Sequence, residues 1–210
     1  KKPVNPFAWI ATLDQMPENN KPVVFAGHFL CTGRWGAPSP GEVLNGVPHN
    51  GEVNTELWHV KTDPDTVAGF ITSTYRVEAP IEKLDVERQI LLPNSGSYFF
   101  VRETFTNNLP IGRISNVVQH GTIAAPLLYE GTVINTNATR GFDQRTGYDY
   151  LEDSSYRWPY ATLTDGQQID LRHVQGERRF VTTHIFSDEN KYGWITAASP
   201  ERGGLFGYVW

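Results

Sequence analysis

Two histidines have the surroundings of groups that transfer protons. His49 lies in Gly46-Val-Pro-His-Asn-Gly51, and His120 lies in Asn116-Val-Val-Gln-His-Gly-Thr-Ile-Ala-Ala-Pro126. Glycine and proline around a histidine predict a loop, in which the imidazole can face solvent or a ligand. Its ordinary pKa, close to neutrality, suits general acid or base chemistry at physiological pH. The simpler alternative is that each imidazole only holds its loop in place through a hydrogen bond to the backbone.

A metal site is less consistent with the sequence. The other four histidines fall in or beside strand patterns, and we interpret them as structural or surface groups: His28, His59, His173 and His184. A metal site in a cupin-like barrel could combine histidines with Glu42, Glu52 or Asp143. Such sites need two histidines one residue apart on one strand, and the sequence has no His-x-His pair. We therefore predict no metal.

Other catalytic classes and charged partners also lack support. The single cysteine, Cys31, has no catalytic neighbourhood, and neither a Gly-x-Ser-x-Gly elbow nor a phosphate-binding glycine loop occurs. The net charge of −5 provides no positive field for nucleic acid or an acidic membrane. No apolar stretch approaches the roughly 18 residues of a membrane span. We expect no organic cofactor, no nucleic acid and no membrane.

A sugar is the ligand class that the remaining residues favour. A pyranose stacks its apolar face on an aromatic ring while its hydroxyls need polar partners. Arg34-Trp35, Asn45, His49-Asn50 and the tyrosine-rich segment 148–160 supply such groups. The alternative is that these tryptophans and tyrosines fill a core. We expect a monosaccharide or oligosaccharide as the partner, and the sequence predicts neither its identity nor the oligomeric state.

The pattern of strands and turns predicts an all-β protein. Aromatic residues make up 12% of the 210 residues, and alternating or β-branched runs bounded by Gly, Pro, Asn and Asp recur along the chain. We predict strands at 56–60, 69–78, 86–92, 98–107, 132–137, 179–187, 192–198 and 205–210. Turn residues at 92–98 and 187–193 predict two antiparallel hairpins.

Long irregular segments are expected beside these strands. Seven prolines within the first fifty residues favour an irregular arm, and the polar segment 141–175 is predicted to contain little regular structure. The size and the lack of a linker predict one β-sandwich domain over 1–210. The chain starts without Met and ends on an apolar aromatic run, so we expect both ends to be cut and the domain to be incomplete at its C-terminal end. A removed signal peptide would favour a periplasmic or extracellular over a cytoplasmic location.

Motif order resembles that of the galactose mutarotase-like, or aldose 1-epimerase-like, superfamily. The chain has Gly33-Arg34-Trp35, then Pro48-His49-Asn50-Gly51 ahead of a tryptophan-containing segment, then a Thr-Asn strand end at 106–107 and Asn116-Val-Val-Gln-His120. The resemblance covers about the first 145 residues, ending near Thr139-Arg-Gly-Phe-Asp143. It implies an antiparallel β-supersandwich with long irregular loops.

Departures from the family pattern place the chain in a divergent branch. The family's first motif has Gly directly after His, whereas Asn50 intervenes here, and Gly121-Thr-Ile-Ala-Ala-Pro126 replaces the aromatic residues after the second His. No residue matches the family's catalytic Glu near the C-terminus. Glu201 lies in a turn between two predicted strands and is not expected to replace it.

The resemblance implies acid–base ring opening of an aldose. A carboxylate takes the anomeric hydroxyl proton while a histidine protonates the ring oxygen, and reclosure gives the other anomer. By motif order His120 is the acid, and His49 acts with it at the catalytic centre. The substrate-binding residues are then Arg34, Trp35, Asn50, Gln119 and Asp143.

Three hypotheses follow from these patterns. The first is a carbohydrate-active protein that resembles aldose 1-epimerases and interconverts sugar anomers, provided a catalytic Glu lies beyond Trp210. The second is a non-catalytic carbohydrate-binding or accessory β-sandwich module. The third is a structural sandwich without a sugar site, in which His49 and His120 lie far apart in ordinary hydrogen bonds.

Overall fold

The computed structural model describes residues 28–33, 35–143, 155–174 and 182–210. These residues form mostly antiparallel β-strands in four sheets, which confirms the predicted all-β, sandwich-like class. The chain divides into two compact units, Lys1–Thr122 and Ile123–Trp210. The expectation of a single domain over 1–210 stays a prediction.

A four-stranded antiparallel sheet dominates the first unit. Its strands are adjacent in sequence order and are β2 (His59–Val67), β3 (Phe70–Ala79), β4 (Leu84–Pro93) and β5 (Phe100–Asn107). On β3, Val77 and Ala79 face the core while Arg76 and Glu78 face solvent, as period-2 alternation requires. The predicted hairpin at 92–98 is confirmed, because β4 and β5 pair antiparallel.

A two-stranded sheet packs against the four-stranded one. Strand β1 (His28–Thr32) pairs antiparallel with β6 (Val117–Gly121). Leu30 of β1 lies in one core cluster with Val77, Val86 and other residues of the larger sheet. The prediction that the first fifty residues form an irregular arm is therefore wrong for β1. The two strands come from distant parts of the chain and stabilise each other by pairing. The glycines and prolines beside them predicted loops at both places.

Helices are short in the described residues. Helix α1 (Pro40–Leu44) is N-capped by Ser39 in a capping box with Glu42, and a 3₁₀ helix covers Glu52–Asn54. Within the described ranges, no helix is long and apolar enough to cross a membrane.

The turn between β2 and β3 leads to a testable prediction. Val67 pairs with Phe70, so Ala68 and Gly69 form a two-residue loop, with φ of 51° and 84°. Both positions need a left-handed backbone, which costs an alanine about 1 kcal/mol. Ala68→Asn is expected to raise the free energy of unfolding by about that amount, measured by urea unfolding. The exposed Ala37, which is not left-handed, is the matched site: Ala37→Asn should have no such effect.

The second unit contains two further sheets. A three-stranded sheet has the order β14-β13-β7, formed by β7 (Val133–Thr136), β13 (Trp194–Ser199) and β14 (Gly204–Val209). A 3₁₀ helix, Pro200–Arg202, connects β13 to β14. A five-stranded sheet has the order β11-β10-β9-β8-β12, formed by β8 (Arg140–Asp143), β9 (Tyr156–Arg157), β10 (Tyr160–Thr162), β11 (Gln168–Asp170) and β12 (Thr182–Ile185).

Two predictions for this unit are wrong. The segment 141–175 was expected to have little regular structure, yet its described part holds β8 to β11, whose short strands are stabilised by the core of Tyr156, Ala161, Leu163 and Ile169. The segment 187–193 does not form an antiparallel hairpin. Strand β12 pairs with β8, while both edges of β13 are occupied by β7 and β14.

Candidate functional site

The end of β1 joins three segments that carry predicted site residues. The amide of Thr32 donates to the carbonyl of Asn50 over 3.3 Å, and the amide of Gly33 donates to the carbonyl of Asn116 over 3.0 Å. Asn116 directly precedes β6. The loop after β1, the turn of His49 and the start of the His120 strand are therefore held together by backbone hydrogen bonds.

Asn50 fixes the turn that carries His49. Its side chain is 4% exposed and its Oδ1 accepts the amide of Gly36 at 2.7 Å, while its own amide donates to the carbonyl of Gly36 at 3.0 Å. Its φ is 67°, a region that asparagine tolerates better than most residues. Gly36 directly follows Trp35 and Asn50 directly follows His49, so this bonded pair connects the backbone of the two segments. The role of Asn50 in substrate binding stays a prediction.

Two buried glutamates support the same end of β1. Glu82 Oε2 accepts the Thr32 hydroxyl at 2.7 Å and the amide of Glu52 at 2.6 Å. Glu52 in turn accepts the amides of Ile81 at 3.2 Å and Glu82 at 2.9 Å. Because charged acceptors satisfy buried amides well, this reciprocal pair fastens the His49 turn to β1. The carboxylate of Glu52, considered above as a metal ligand, is engaged by backbone donors.

His120 lies within a strand, so the predicted loop surroundings are wrong for this residue. It is opposite Phe29 in the β1–β6 pair, and the two rings stack with centroids 4.2 Å apart and planes 15° apart. The imidazole is half-buried, and this burial lowers its pKa. Stacking fixes the plane of the ring, and the lowered pKa makes the imidazolium a stronger acid while leaving less of it at neutral pH.

His49 and His120 are attached to the same strand. Phe29, opposite His120, is three residues from Thr32, which binds the His49 turn, so the two attachment points are about 10 Å apart along β1. His49 lies in an exposed turn, as predicted. Trp35 is 40% exposed. The structure therefore connects the backbone segments that carry these three predicted residues to the two-stranded sheet.

The remaining predicted site residues are not gathered with them. Gln119 neighbours His120 on β6, so its side chain points to the opposite face, where its amide donates to Glu103. Arg34 lies outside the described residues. The backbone of Asp143 ends β8 in the second unit, and its side chain is outside the described part. Assignment of these three residues to substrate binding stays a prediction.

A polar cluster lies between the two sheets of the first unit. Arg88 Nε donates to Glu103 Oε1 at 2.7 Å, and the two side chains are only 15% and 7% exposed. The guanidinium lies 4.7 Å from the ring centre of Trp58. Burial, and then the charge of Arg88, lower the pKa of His28. Sequence reasoning missed this cluster, because its members come from three separate strands and one loop.

Buried histidines predict how stability depends on pH. Burial lowers the pKa of His28, His120 and His184, whereas the unfolded chain has the ordinary value near 6.5. The unfolded state thus binds more protons as the pH falls below that value. The stability from neutral imidazoles is fully present above pH 6.5 and is lost as the pH falls towards the folded-state values, by at most about 1.4 kcal/mol per pH unit for each histidine.

We therefore expect the free energy of unfolding to decrease between pH 7.5 and pH 5.5. His184, whose Nε2 lies 3.0 Å from the Tyr156 hydroxyl, offers the test. Urea unfolding of His184→Gln should show a weaker pH dependence than the wild type, and His59→Gln, at an exposed position on β2, should follow the wild type. Equal pH dependence in wild type and His184→Gln would contradict the expectation for this residue.

Comparison with known proteins adds no family. No protein-family model, no curated protein and no solved structure matches the chain. Among the residues that the structure describes, no three His, Cys, Asp or Glu side chains are grouped so that they could hold a metal ion.

Proposed function

We propose that this protein binds an aldose and interconverts its anomers, as aldose 1-epimerases do, within a galactose mutarotase-like β-supersandwich. The observation that carries the proposal is the attachment of both His120 and the His49 turn to strand β1. Motif order alone made these residues candidates. Attachment of both residues to one small sheet supports a shared role at a single ligand.

The proposed chemistry assigns one task to each group. His120, held flat against Phe29 at 4.2 Å, donates a proton to the ring oxygen of the sugar as the ring C–O bond breaks. Solvent water takes the proton of the anomeric hydroxyl in the same step, so that the open-chain aldehyde forms. His49, in its exposed turn, binds a hydroxyl of the sugar. Trp35 offers an exposed indole on which the apolar face of a pyranose can stack. Glu82 and Asn50 act as positioning residues, because they hold the His49 turn in place.

A non-catalytic carbohydrate-binding module is the second candidate. It is favoured by the lack of a residue that matches the catalytic Glu of the resembled family. Glu201, considered above, lies in the 3₁₀ helix Pro200–Arg202, where its Oε2 is 3.5 Å from the hydroxyl of Tyr129. A module of this kind keeps the sugar contacts of His49, His120 and Trp35 without turnover.

Mutarotation measured by polarimetry separates the two candidates. Freshly dissolved glucose and galactose are followed in weakly catalytic buffer with the 210-residue chain and with any longer natural form, while sugar binding is read from tryptophan fluorescence. Acceleration by either form supports the epimerase. Saturable fluorescence changes without acceleration favour the binding module. A chain that neither accelerates mutarotation nor responds to sugars contradicts both.

A further inference from the structure

The second unit contains a cleft that the proposed function does not use. Its volume is about 820 Å³, within the range of small-molecule sites. The cleft is lined by the ends of β8, β9 and β10 and by the residues beside them, which include Thr139, Arg140, Ser155, Arg157, Tyr160 and Thr162. All of its described lining residues belong to this unit, and none of them is a predicted site residue.

Two arginines lie directly opposite each other in this cleft. Arg140 of β8 pairs with Arg157 of β9 in the antiparallel register. Directly opposed residues have their Cβ atoms roughly 5 Å apart, and like charges on directly opposed side chains are destabilising. Two adjacent guanidinium groups in this row therefore lower the stability of the sheet. An anion bound between them would offset their repulsion.

The described acidic residue in the same row is already engaged. Tyr160 of β10 pairs with both Arg157 and Asp170, so the row continues to Asp170 on β11. The Asp170 carboxylate accepts hydrogen bonds from the guanidinium of Arg172 at 2.6 to 3.0 Å and from its backbone amide at 3.0 Å, and this hydrogen bonding lowers the pKa of the carboxyl. Among the described residues, no acidic side chain pairs with Arg140 or Arg157.

The other residues of the cleft suit a ring that carries the anion. The ring of Tyr160 is 47% exposed next to Arg157, and a sugar or aromatic ring can stack on it. Thr139, Ser155 and Thr162 supply hydroxyl groups along the cleft. Guanidinium groups bind carboxylate and sulfate oxygens in a planar, two-bond geometry.

We propose that this cleft binds a small ring compound bearing a carboxylate or sulfate group, with the oxyanion held between Arg140 and Arg157 and the ring against Tyr160. The two oxyanions share one recognition chemistry, and glucuronate and glucose 6-sulfate distinguish them. Glucose provides the ring without the charge, and inorganic sulfate provides the charge without the ring.

Isothermal titration of the whole chain at low salt tests the proposal. We expect glucuronate or glucose 6-sulfate to bind at least tenfold more tightly than glucose, with an affinity that falls as NaCl is added. Arg140→Ala and Arg157→Ala should each weaken this binding about tenfold or more. Tyr160→Ala should weaken binding of the ring probes and leave inorganic sulfate unchanged. Arg102→Ala, at an exposed arginine on β5, is the matched control and should bind like the wild type.

Three results would overturn the proposal: cleft variants that lose as much affinity for glucose as for the charged sugars, full affinity for the charged sugars in both cleft variants, or no saturable binding of a charged probe up to about 10 mM. Circular dichroism confirms that the exposed-site variants remain folded. His120→Ala keeps the cleft intact and should retain charged-sugar binding. Failure of the cleft and failure of the proposed epimerase function are thereby distinguishable.

Discussion

His120→Ala is expected to reduce protein-catalysed mutarotation by about 10²- to 10⁴-fold, the usual contribution of a general acid. The reason is that the proposed mechanism needs a proton donor at the ring oxygen, and His120 is the imidazole that Phe29 holds in a fixed plane. The measurement is the polarimetric rate with galactose at saturating concentration. In a protein that only binds sugars, the same variant is expected to weaken the fluorescence response instead.

Two further variants make this result specific. His120→Gln retains a hydrogen-bonding side chain without an acid that titrates near neutrality, so it should bind sugar and still fail to catalyse. His59→Gln removes an exposed imidazole on β2 and should leave the rate unchanged. Catalysis that persists in His120→Gln at the wild-type rate would show that another group protonates the ring oxygen.

Glu103→Leu is expected to lower the free energy of unfolding by about 3–5 kcal/mol. This change leaves the Arg88 guanidinium buried at 15% exposure without the carboxylate that now accepts its hydrogen bond. An unpaired charge in a low-dielectric interior is the most costly defect that a single substitution can leave in this cluster. Urea unfolding followed by circular dichroism measures the effect.

A double variant and an exposed pair complete this test. Arg88→Met/Glu103→Leu removes both charges and places a flexible apolar chain on the ring of Trp58, so it should regain most of the lost stability. Arg76, 47% exposed and paired with Asp85 at 2.8 Å, provides the control: Arg76→Ala should cost less than about 1 kcal/mol. Equal costs for Glu103→Leu and Arg76→Ala would mean that the Arg88–Glu103 pair is not desolvated.

Strands β3, β4 and β5 could be predicted because their signals are local. They contain apolar, β-branched and aromatic residues over eight to ten positions, and each turn between them lies between strands that pair with each other. Strands β1 and β6 have five residues each and pair across a long stretch of sequence. Neither strand has a local turn to reveal its partner, so the residues around His120 resembled a loop.

The sequence predicted which residue types belong to the candidate site but not which contacts they make. The sequence identified His49, His120 and Trp35, but the buried functions of Asn50 and Glu82 depend on backbone amides from segments far away in the chain. No local pattern signals such a partner. The alternation along β6 could have shown that Gln119 and His120 face opposite sides, had the strand been recognised.

The most direct test of the proposed function is whether a sugar contacts His120. Two-dimensional NMR of ¹⁵N-labelled imidazole rings during titration with galactose observes each histidine separately, with signals assigned from His120→Gln, His49→Gln and His59→Gln. We expect the NMR signals of the His120 and His49 ring nitrogens to shift saturably with one common affinity, while the His59 signal stays constant. Unchanged His120 and His49 signals at sugar concentrations that saturate the fluorescence response would contradict it.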